Sequence, residues 1–252
     1  MIPKIIHYCW LSDDPIPYNL QNYMMTWKVK LPDYEFMLWN FDRFDKKSSK
    51  WVSEAFDNKK YAFAADYIRL FAVYNHGGFY MDMDIEVLKS FDDLLDNNII
   101  LAYEDDDKSS IEAGIFGAEK NNIIIKKCLE YYTDRSFIKE DGSFDTLVLP
   151  QIMIKYCNGL DIKDRFFFTC KSLKTGIVTQ QNGSYTIHHF SGSWLEGWQK
   201  EVHKYRDNLF VKYKNQKFAF ILSSINYLMV SWREMSFRDF CKYWTAKIKS
   251  KF

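Results

Sequence analysis

A buried-helix pattern, two glycines and an alternating segment constrain this chain more than any other feature of its sequence. Between residues 61 and 75 apolar side chains crowd every face of a predicted helix, which is typical of a helix packed against a sheet. Gly77-Gly78 predicts its end. From Phe79 to Val87 apolar and polar residues alternate, so a strand is predicted with a core face and an acidic face that carries Asp82 and Asp84.

The elements around this segment predict an α/β fold. The opening 2–10 is apolar and β-rich, 19–30 has a helical pattern that ends before Pro32, and 34–39 is a plausible second strand. This strand, helix, strand order is how an α/β sheet begins. Further strands are predicted at 98–103 and 186–190, and a further helix at 121–133.

The five cysteines are scattered and never spaced as C-x-x-C. Neither a disulfide framework nor a zinc site is therefore predicted, and buried thiols in a reducing compartment are expected. The N-terminus has no long apolar run and no small-residue cleavage site, so it does not resemble a signal peptide. A cytoplasmic location is expected on these grounds.

The C-terminal part has a different composition from the rest, which predicts a domain at 1–199 and a helical segment at 200–252. Residues 200–252 contain 12 Lys or Arg and 4 Asp or Glu, a charge of +8, whereas residues 1–199 carry −7. A basic segment suggests an anionic surface or acceptor, although a solvated helical face has the same composition. We expect no nucleic-acid partner. The apolar stretch 218–232 is too short to span a bilayer, so it either lies in a membrane interface or packs on the domain.

The acidic strand is the strongest candidate for chemistry. An Asp-x-Asp pattern alone is weak, since Asp105-Asp106-Asp107 also satisfies it, in what reads as a solvated loop. Asp82 and Asp84 differ because carboxylates on an otherwise apolar strand need a cation or hydrogen-bond donors. A divalent cation held there could bridge the protein to a diphosphate. The alternative is an edge-strand face paired with surface lysines.

Three blocks of sequence together carry a resemblance to a known family. Asp66 and Arg69 share a face of the predicted helix, which by spacing alone could be a simple ion pair. The blocks are IPKIIHYCW at 2–10, AADYIR followed by GGFYMDMD within 64–84, and HHFSGSW at 188–194. In this order they resemble the DXD-containing sugar transferases of glycosyltransferase family 32, which include yeast-type initiating mannosyltransferases and bacterial polysaccharide enzymes.

The resemblance implies a GT-A nucleotide-sugar-binding fold, a mixed sheet flanked by helices with a C-terminal helical appendage, and transfer with retention at the anomeric carbon. It implies that Trp10 stacks on the nucleotide base and that Asp66 and Arg69 hold the donor sugar and its phosphates. The implied donor-binding set is Trp10, His7, Asp66, Arg69, Tyr80, Asp82, Ser193 and Trp194, with Trp194 touching the glycosidic oxygen.

For the metal, the resemblance implies that Asp84 binds it directly and that Asp82 bridges the ribose, the sugar and a metal-bound water. His189 is a candidate ligand, with an ordinary core histidine as the alternative. Imidazole with carboxylate ligands favours Mn²⁺ over Mg²⁺ or Ca²⁺, and Mg²⁺ stays possible. Relatives often carry an asparagine in the loop where this chain has Glu112, which either faces the reaction centre or is structural.

The predicted function is that of a retaining, metal-dependent glycosyltransferase, with Asp82, Asp84 and Arg69 as the catalytic residues. It is expected to move a hexose or N-acetylhexosamine from a nucleotide diphosphate sugar, with a UDP-sugar as the expected donor, to a glycan acceptor that could be polyprenyl-diphosphate-linked. Bacterial capsule or O-antigen synthesis at the inner face of the cell membrane is the expected setting. Same-face attack is preferred over a covalent intermediate, because Asp82 and Asp84 are committed to metal. A metal-dependent phosphohydrolase or phosphotransferase and a non-catalytic carbohydrate-binding protein are the alternatives.

Overall fold

The computed structural model describes residues 1–192, 197–213 and 215–249. The helices are α1 (Tyr18–Lys30), α2 (Lys50–Asp57), α3 (Tyr61–His76), α4 (Ile123–Glu130), α5 (Leu149–Tyr156), α6 (Gly197–Lys212), α7 (Gln216–Glu234) and α8 (Phe237–Lys249). The strands are β1 (Ile5–Cys9), β2 (Glu35–Trp39), β3 (Gly78–Met81), β4 (Ile85–Val87), β5 (Ile99–Ile100), β6 (Ile115–Ala118) and β7 (Thr186–His188).

The main sheet is mixed and has the strand order β2-β1-β3-β6-β5. β1 pairs in parallel with both β2 and β3, while β6 pairs antiparallel with β3 and β5. β4 and β7 form a separate antiparallel pair. The predicted mixed sheet flanked by helices is confirmed.

Both faces of the main sheet are buried, and β3 shows this most clearly. Tyr80 points into the core that α2, α3, α4 and α5 cover. Phe79 and Met81 point the other way, into a second core that contains Trp27 of α1. The indole of Trp27 donates a hydrogen bond of 2.6 Å to the Ile85 carbonyl and so ties α1 to β4. A sheet covered on both faces explains why the strands read as nearly continuous apolar runs.

Several predicted elements are shorter in the structure than in the sequence pattern. The helix expected at 121–133 begins at Ile123, because the Asn122 side chain accepts hydrogen bonds from the Ile124 and Ile125 amides and caps it. The strand expected at 98–103 is shorter in the structure, where only β5 belongs to the sheet, and Ala102 beyond it forms an isolated bridge with Lys163. The periodicity located these elements, and local hydrogen bonds set where they end.

The prediction of one continuous strand from Phe79 to Val87 is wrong. β3 ends at Met81 and β4 begins at Ile85, with a turn between them that the hydrogen bond from the Ile85 amide to the Asp82 carbonyl closes at 3.0 Å. The Asp82 amide still bonds the Gly114 carbonyl at 2.7 Å, in register with the β3–β6 pairing, and the chain turns directly after it. An alternating pattern does not distinguish one strand from two strands joined by a short turn, because residues on both sides of the turn still face the core.

The chain divides into two compact units. The first is 1–171 with 178–191, and the second is 172–177 with 192–252. The boundary predicted at residues 199 and 200 falls inside α6, a continuous helix that lies wholly in the second unit. In that unit α6 packs on α7, and Trp232 of α7 contacts Phe240 of α8 with ring centroids 4.9 Å apart. Over the described ranges, no helix has the length and apolar character needed to cross a membrane.

We expect Gly78→Ala to destabilise the protein, because Gly78 starts β3 in a conformation closed to other residues. Its φ is +103°, and a Cβ there would lie 2.5 Å from the Ile5 carbonyl oxygen. Gly142→Ala is the matched control, since φ is +77° but no atom lies within 4 Å of the added Cβ. Gly142→Ala should lower the free energy of unfolding by about 1–2 kcal/mol, the cost of left-handed backbone strain, and Gly78→Ala should lower it by more. Equal free energies of unfolding for the two variants, measured by urea denaturation, would contradict the close approach.

Candidate functional site

The turn between β3 and β4 places two carboxylates beside a histidine. Asp82 and Asp84 lie in this turn, and His188 is the last residue of β7. Because β4 and β7 pair antiparallel with Ile85 opposite His188, the residue just before Ile85 lies next to the imidazole. One ligand atom from each of Asp82, Asp84 and His188 lies within 4.8 Å of the others. The site is thus built at the junction of the two sheets.

Asp84 is the most strongly stabilised carboxylate of this group. Its Oδ1 lies 3.4 Å from His188 Nε2, and its Oδ2 accepts a 2.6 Å hydrogen bond from the Ser191 amide. Burial by itself raises the pKa of Asp84, but the His188 imidazole and the Ser191 amide outweigh it and hold the pKa well below its usual range. Asp84 is therefore ionised at neutral pH and available to a cation.

Arg69 of α3 organises the other side of the group. Its Nη1 donates a 2.7 Å hydrogen bond to the Ala113 carbonyl, and its Nη2 lies 3.4 Å from Asp66 Oδ1 and 3.5 Å from Asp82 Oδ1. The guanidinium also lies 4.6 Å from the ring centroid of Tyr80. The Tyr80 hydroxyl in turn donates to Asp82 Oδ1 at 2.7 Å. Asp82 is thus held from two directions by side chains that are themselves fixed.

The acidic charge of the site is only partly balanced by its cations. Burial raises the pKa of Asp66 to about 6, against the opposing effect of Arg69. Burial likewise raises the pKa of Asp82, with Arg69 opposing and the charge of Asp84 adding to the rise. Both shifts are upward because the effect of burial outweighs the attraction of Arg69, so the ionised form of each carboxylate is only partly stabilised by the protein. Asp66, Arg69, Tyr80, Asp82 and Asp84 are brought together as the sequence predicted.

The histidine that lies beside Asp82 and Asp84 is His188, whereas the ring of His189, the predicted ligand, has other partners. The backbone amide of His189 bonds the Asp84 carbonyl at 3.0 Å, while its ring stacks on Tyr23 at 4.1 Å and its Nε2 lies 2.9 Å from Glu86 Oε2. Neighbouring side chains at a strand end point to opposite sides, so only one of the two can face Asp84. The sequence identified the pair but not which member turns inward.

Two other predicted donor-binding residues lie outside this cluster. His7 is wholly buried in β1, where its Nε2 lies 2.7 Å from the Gly77 carbonyl and its Nδ1 accepts from the Trp39 indole at 3.0 Å. Both ring nitrogens are thereby used to join the opening strands to the end of α3. Trp10 follows β1 half-buried, with its indole donating to the Asp14 carbonyl at 2.8 Å. Ser193 and Trp194 lie outside the described residues.

Sequence reasoning missed His188 and left the place of Glu112 open. The Glu112 side chain has 0% exposure and lies beside His188, with Oε2 3.0 Å from Nδ1. Thr169, which carries no recognisable signal in the sequence, donates to the same oxygen at 2.8 Å. The other acidic run, Asp105-Asp106-Asp107, lies in a loop. Asp107 is exposed there, and its side chain accepts a hydrogen bond from the Ser109 amide.

Comparison with known proteins agrees with this site. Residues 17–101 match the family described as "Glycosyltransferase sugar-binding region containing DXD motif". The resemblance to DXD-containing sugar transferases is confirmed for this region. Asp66, Arg69, Tyr80, Asp82 and Asp84 all fall within it.

Curated relatives include two yeast enzymes. The chain is 34% identical over 99 residues to a mannosyl phosphorylinositol ceramide synthase of Saccharomyces cerevisiae, covering 38% of this chain and 26% of that protein. It is 33% identical over 101 residues to inositol phosphoceramide mannosyltransferase 1 of Schizosaccharomyces pombe, covering 37% and 31%. The match thus spans about a quarter to a third of the length of these relatives. Among solved structures, PaToxG Glycosyltransferase matches with a TM-score of 0.47 and 19% identity, over 62% of this chain and 69% of that one.

The donor set fits a divalent cation. Two carboxylates and an imidazole suit Mn²⁺, which accepts both oxygen and nitrogen ligands. The upward pKa shifts of Asp66 and Asp82 show that added positive charge would be favourable there. Asp82, Asp84 and His188 are therefore the residues that would hold the metal.

Mn²⁺ should raise the melting temperature of the wild-type protein, because a ligand that binds only the folded state stabilises it. At 100 times its dissociation constant the gain is about 2.7 kcal/mol. Asp84→Asn should abolish this shift, measured against the variant's own metal-free melting temperature, which should itself fall because His188 and Ser191 stabilise the ionised carboxylate in the folded state. Asp107→Asn, in the exposed acidic run at 105–107, is the matched control and should respond to Mn²⁺ as the wild type does. A full Mn²⁺ shift in Asp84→Asn, measured by differential scanning calorimetry, would rule out this cluster as the site.

Proposed function

We propose that this chain is a metal-dependent, retaining glycosyltransferase that moves a sugar from a nucleotide diphosphate sugar. The observation that carries the proposal is the group formed by Asp82, Asp84 and His188 beside Arg69. Asp82, Asp84 and Arg69 lie within residues 17–101, which match the sugar-binding family, and His188 lies next to them in the structure. A metal bound there would neutralise charge that develops on the leaving diphosphate. Trp10, Ser193 and Trp194 stay in the proposal as donor contacts, on the strength of the resemblance alone.

The side chains of α3 and β3 position the acidic group for this role. Arg69 is almost fully buried and committed to Ala113, Asp66 and Asp82, so its charge acts on the donor chiefly through Asp82. The Tyr80 hydroxyl gives Asp82 a second fixed partner. A carboxylate held by two rigid groups needs little reorganisation when a charged donor binds, which is how preorganised sites stabilise a transition state.

The surroundings of the group support same-face attack over a covalent intermediate. A carboxylate nucleophile must reach the anomeric carbon of the sugar. Glu112 is wholly buried, and Asp66 lies beneath Arg69. Asp82 and Asp84 are assigned to the metal. These four carboxylates are therefore committed to other partners, which favours attack guided by the leaving diphosphate.

The donor sugar is an open part of the proposal. The resemblance led us to a hexose or N-acetylhexosamine carried by UDP, whereas the yeast relatives are named for mannose transfer. Hexose discrimination rests on a few hydrogen bonds to hydroxyl groups, which a metal-binding group does not specify. UDP-linked and GDP-linked sugars both belong in the first screen.

The acceptor is proposed to be lipid-linked, and the second unit supports this. Apolar side chains recur along α7 at three- and four-residue spacings and form one exposed stripe, here called the α7 stripe, with exposed fractions from 46% to 64%: Phe218, Ile221, Ile225, Met229 and Trp232. Lys217 and Arg233 lie near the two ends of the helix. An apolar stripe in a basic segment suits the surface of an anionic bilayer.

Two classes of acceptor would lie at the surface of a membrane. A polyprenyl-diphosphate-linked glycan in bacterial surface polysaccharide synthesis was expected from the sequence. The relatives are instead named for inositol phosphoceramide, a sphingolipid. Location at the cytoplasmic face of a membrane stays a prediction that either acceptor would accommodate.

Turnover should release nucleoside diphosphate from one of the screened sugar nucleotides, and EDTA should abolish it. Mn²⁺ should restore it better than Mg²⁺. Asp84→Asn should lower kcat by at least about 100-fold, since loss of one electrostatic stabiliser of the transition state typically costs that much. Asp107→Asn is again the control and should keep wild-type turnover. Undiminished turnover of Asp84→Asn in the presence of EDTA would falsify the metal-dependent mechanism, and binding of sugar without turnover would point to a carbohydrate-binding protein.

Vesicle binding should depend on the α7 stripe and on lipid charge. The protein should co-sediment with vesicles containing phosphatidylglycerol and not with pure phosphatidylcholine, and salt should weaken the binding because each basic residue contributes about 1 kcal/mol near an anionic surface. The double variant Ile221→Asn, Met229→Asn should lose most of this binding. The control is Met25→Asn, Val29→Asn on α1, whose apolar side chains are equally exposed. Equal loss in both double variants, or equal binding to both vesicle types, would remove the membrane role.

A further inference from the structure

Glu112 is a buried carboxylate whose hydrogen bonds all come from protein groups around His188. Its Oε1 accepts from the Gly114 amide at 2.7 Å. Its Oε2 accepts from the Thr169 hydroxyl at 2.8 Å and lies 3.0 Å from His188 Nδ1. Buried charge is costly unless it is paired and hydrogen-bonded, and here the imidazole is the only titratable cation among the three partners. The Glu112 carboxylate is therefore held by protein hydrogen-bond partners next to His188.

The ring of His188 is fixed sterically as well as by this hydrogen bond. A Cβ added at Gly114 would lie 2.6 Å from His188 Cε1, so the glycine backbone closes directly against the imidazole edge. The ring of Phe190 packs on it with centroids 3.9 Å apart. With Nδ1 toward Glu112, the opposite nitrogen Nε2 faces Asp84 Oδ1 at 3.4 Å. The two nitrogens of one ring thus link a wholly buried acid to the acidic turn.

We propose that Glu112 is a positioning residue for the metal: it holds the proton of His188 on Nδ1 and so keeps Nε2 directed, as a ligand, at the space between Asp82 and Asp84. This inference rests on the metal-dependent function proposed above. A metal-binding imidazole commonly donates its other N–H to a carboxylate, which fixes both its tautomer and its orientation. Glu112 acts through His188 and does not touch the sugar.

The geometry separates this role from that of a nucleophile. A nucleophilic carboxylate needs a free oxygen that can approach the anomeric carbon. Both oxygens of Glu112 are engaged, and the side chain has no exposed surface. Of the two possibilities open from the sequence, facing the reaction centre or serving the structure, the contacts favour a third, which is to orient a ligand.

Glu112→Gln is the informative substitution because it keeps the shape and reverses one hydrogen bond. If the new amide NH₂ occupies the place of Oε2, it donates to His188 Nδ1 and forces the ring proton onto Nε2, the atom meant to bind metal. If the amide is flipped, its NH₂ meets the Gly114 amide donor instead. The flipped amide would still accept from Nδ1–H, but only by setting its NH₂ against the Gly114 amide donor, so the arrangement that opposes the ligand form of His188 is the favoured one.

The experiment measures the affinity of the full chain for Mn²⁺ alone, by titration calorimetry and by the electron paramagnetic resonance signal of free Mn²⁺. Glu112→Gln should bind Mn²⁺ about 10–100-fold more weakly than the wild type, the usual effect of losing a ligand-orienting partner. In a His188→Gln background the same substitution should have no further effect, because its action passes through the imidazole. Glu54→Gln is the matched control: its carboxylate also accepts from a hydroxyl and an amide, those of Ser136 and Ile138, but belongs to α2.

Thr169 supplies a second pair of variants should Glu112→Gln fail to fold. Thr169→Val removes the hydroxyl that holds Oε2 and should weaken Mn²⁺ binding, while Thr169→Ser keeps the hydroxyl and should restore it. Wild-type Mn²⁺ affinity in Glu112→Gln, or in Thr169→Val where only that variant folds, overturns the positioning role. Additive losses in the His188→Gln background also overturn it. Absence of Mn²⁺ binding by the wild type would instead overturn the metal-dependent function itself, so the two failures are distinguishable.

Discussion

The compensation of buried negative charge is the constraint on which this site depends. Four carboxylates, Asp66, Asp82, Asp84 and Glu112, are gathered around Arg69 and His188. Even with His188 protonated, these six groups carry four negative charges and two positive ones. Backbone amides and hydroxyl groups stabilise individual oxygens, yet the pKa values of Asp66 and Asp82 still rise. With His188 neutral, as it must be to bind a metal through Nε2, the group carries three net negative charges, and a divalent cation would offset two of them.

The topology explains why these charges meet where they do. The chain leaves the main sheet at the end of β3, turns through the acidic residues and enters the small β4–β7 sheet. The Gly114 segment touches this turn from one side through the Asp82 amide, and His188 reaches it from the other through the β4–β7 pairing. The Trp27 indole holds β4 by donating a hydrogen bond to the Ile85 carbonyl. Three distant parts of the sequence are thereby held within hydrogen-bond reach without any of them needing to move.

The family match and the exposed α7 stripe lie in different parts of the protein. The match at residues 17–101 lies in the first unit, and the α7 stripe lies in the second. A transferase acting on a lipid-linked acceptor would use both properties, one for the donor and one for access to the surface where the acceptor lies. The matched region covers too small a share of the relatives to transfer their substrates to this chain directly.

The sequence by itself determined the α/β class, the α3 helix with its glycine stop, and the association of Asp66, Arg69, Tyr80, Asp82 and Asp84 with one site. The fold class and the helix follow from periodicity, which is a local property of the chain, whereas the association of those five residues was implied by the resemblance of three sequence blocks to a known family. Only the tertiary structure decided that β3 and β4 are two strands, that His188 turns inward in place of His189, and that Glu112 lies behind it. Those outcomes depend on contacts between residues far apart in sequence, such as the pairing of Ile85 with His188 and the bond from Glu112 across 76 positions to the same imidazole. Side-chain direction at the end of a strand is set by what packs against it, and no local pattern records that.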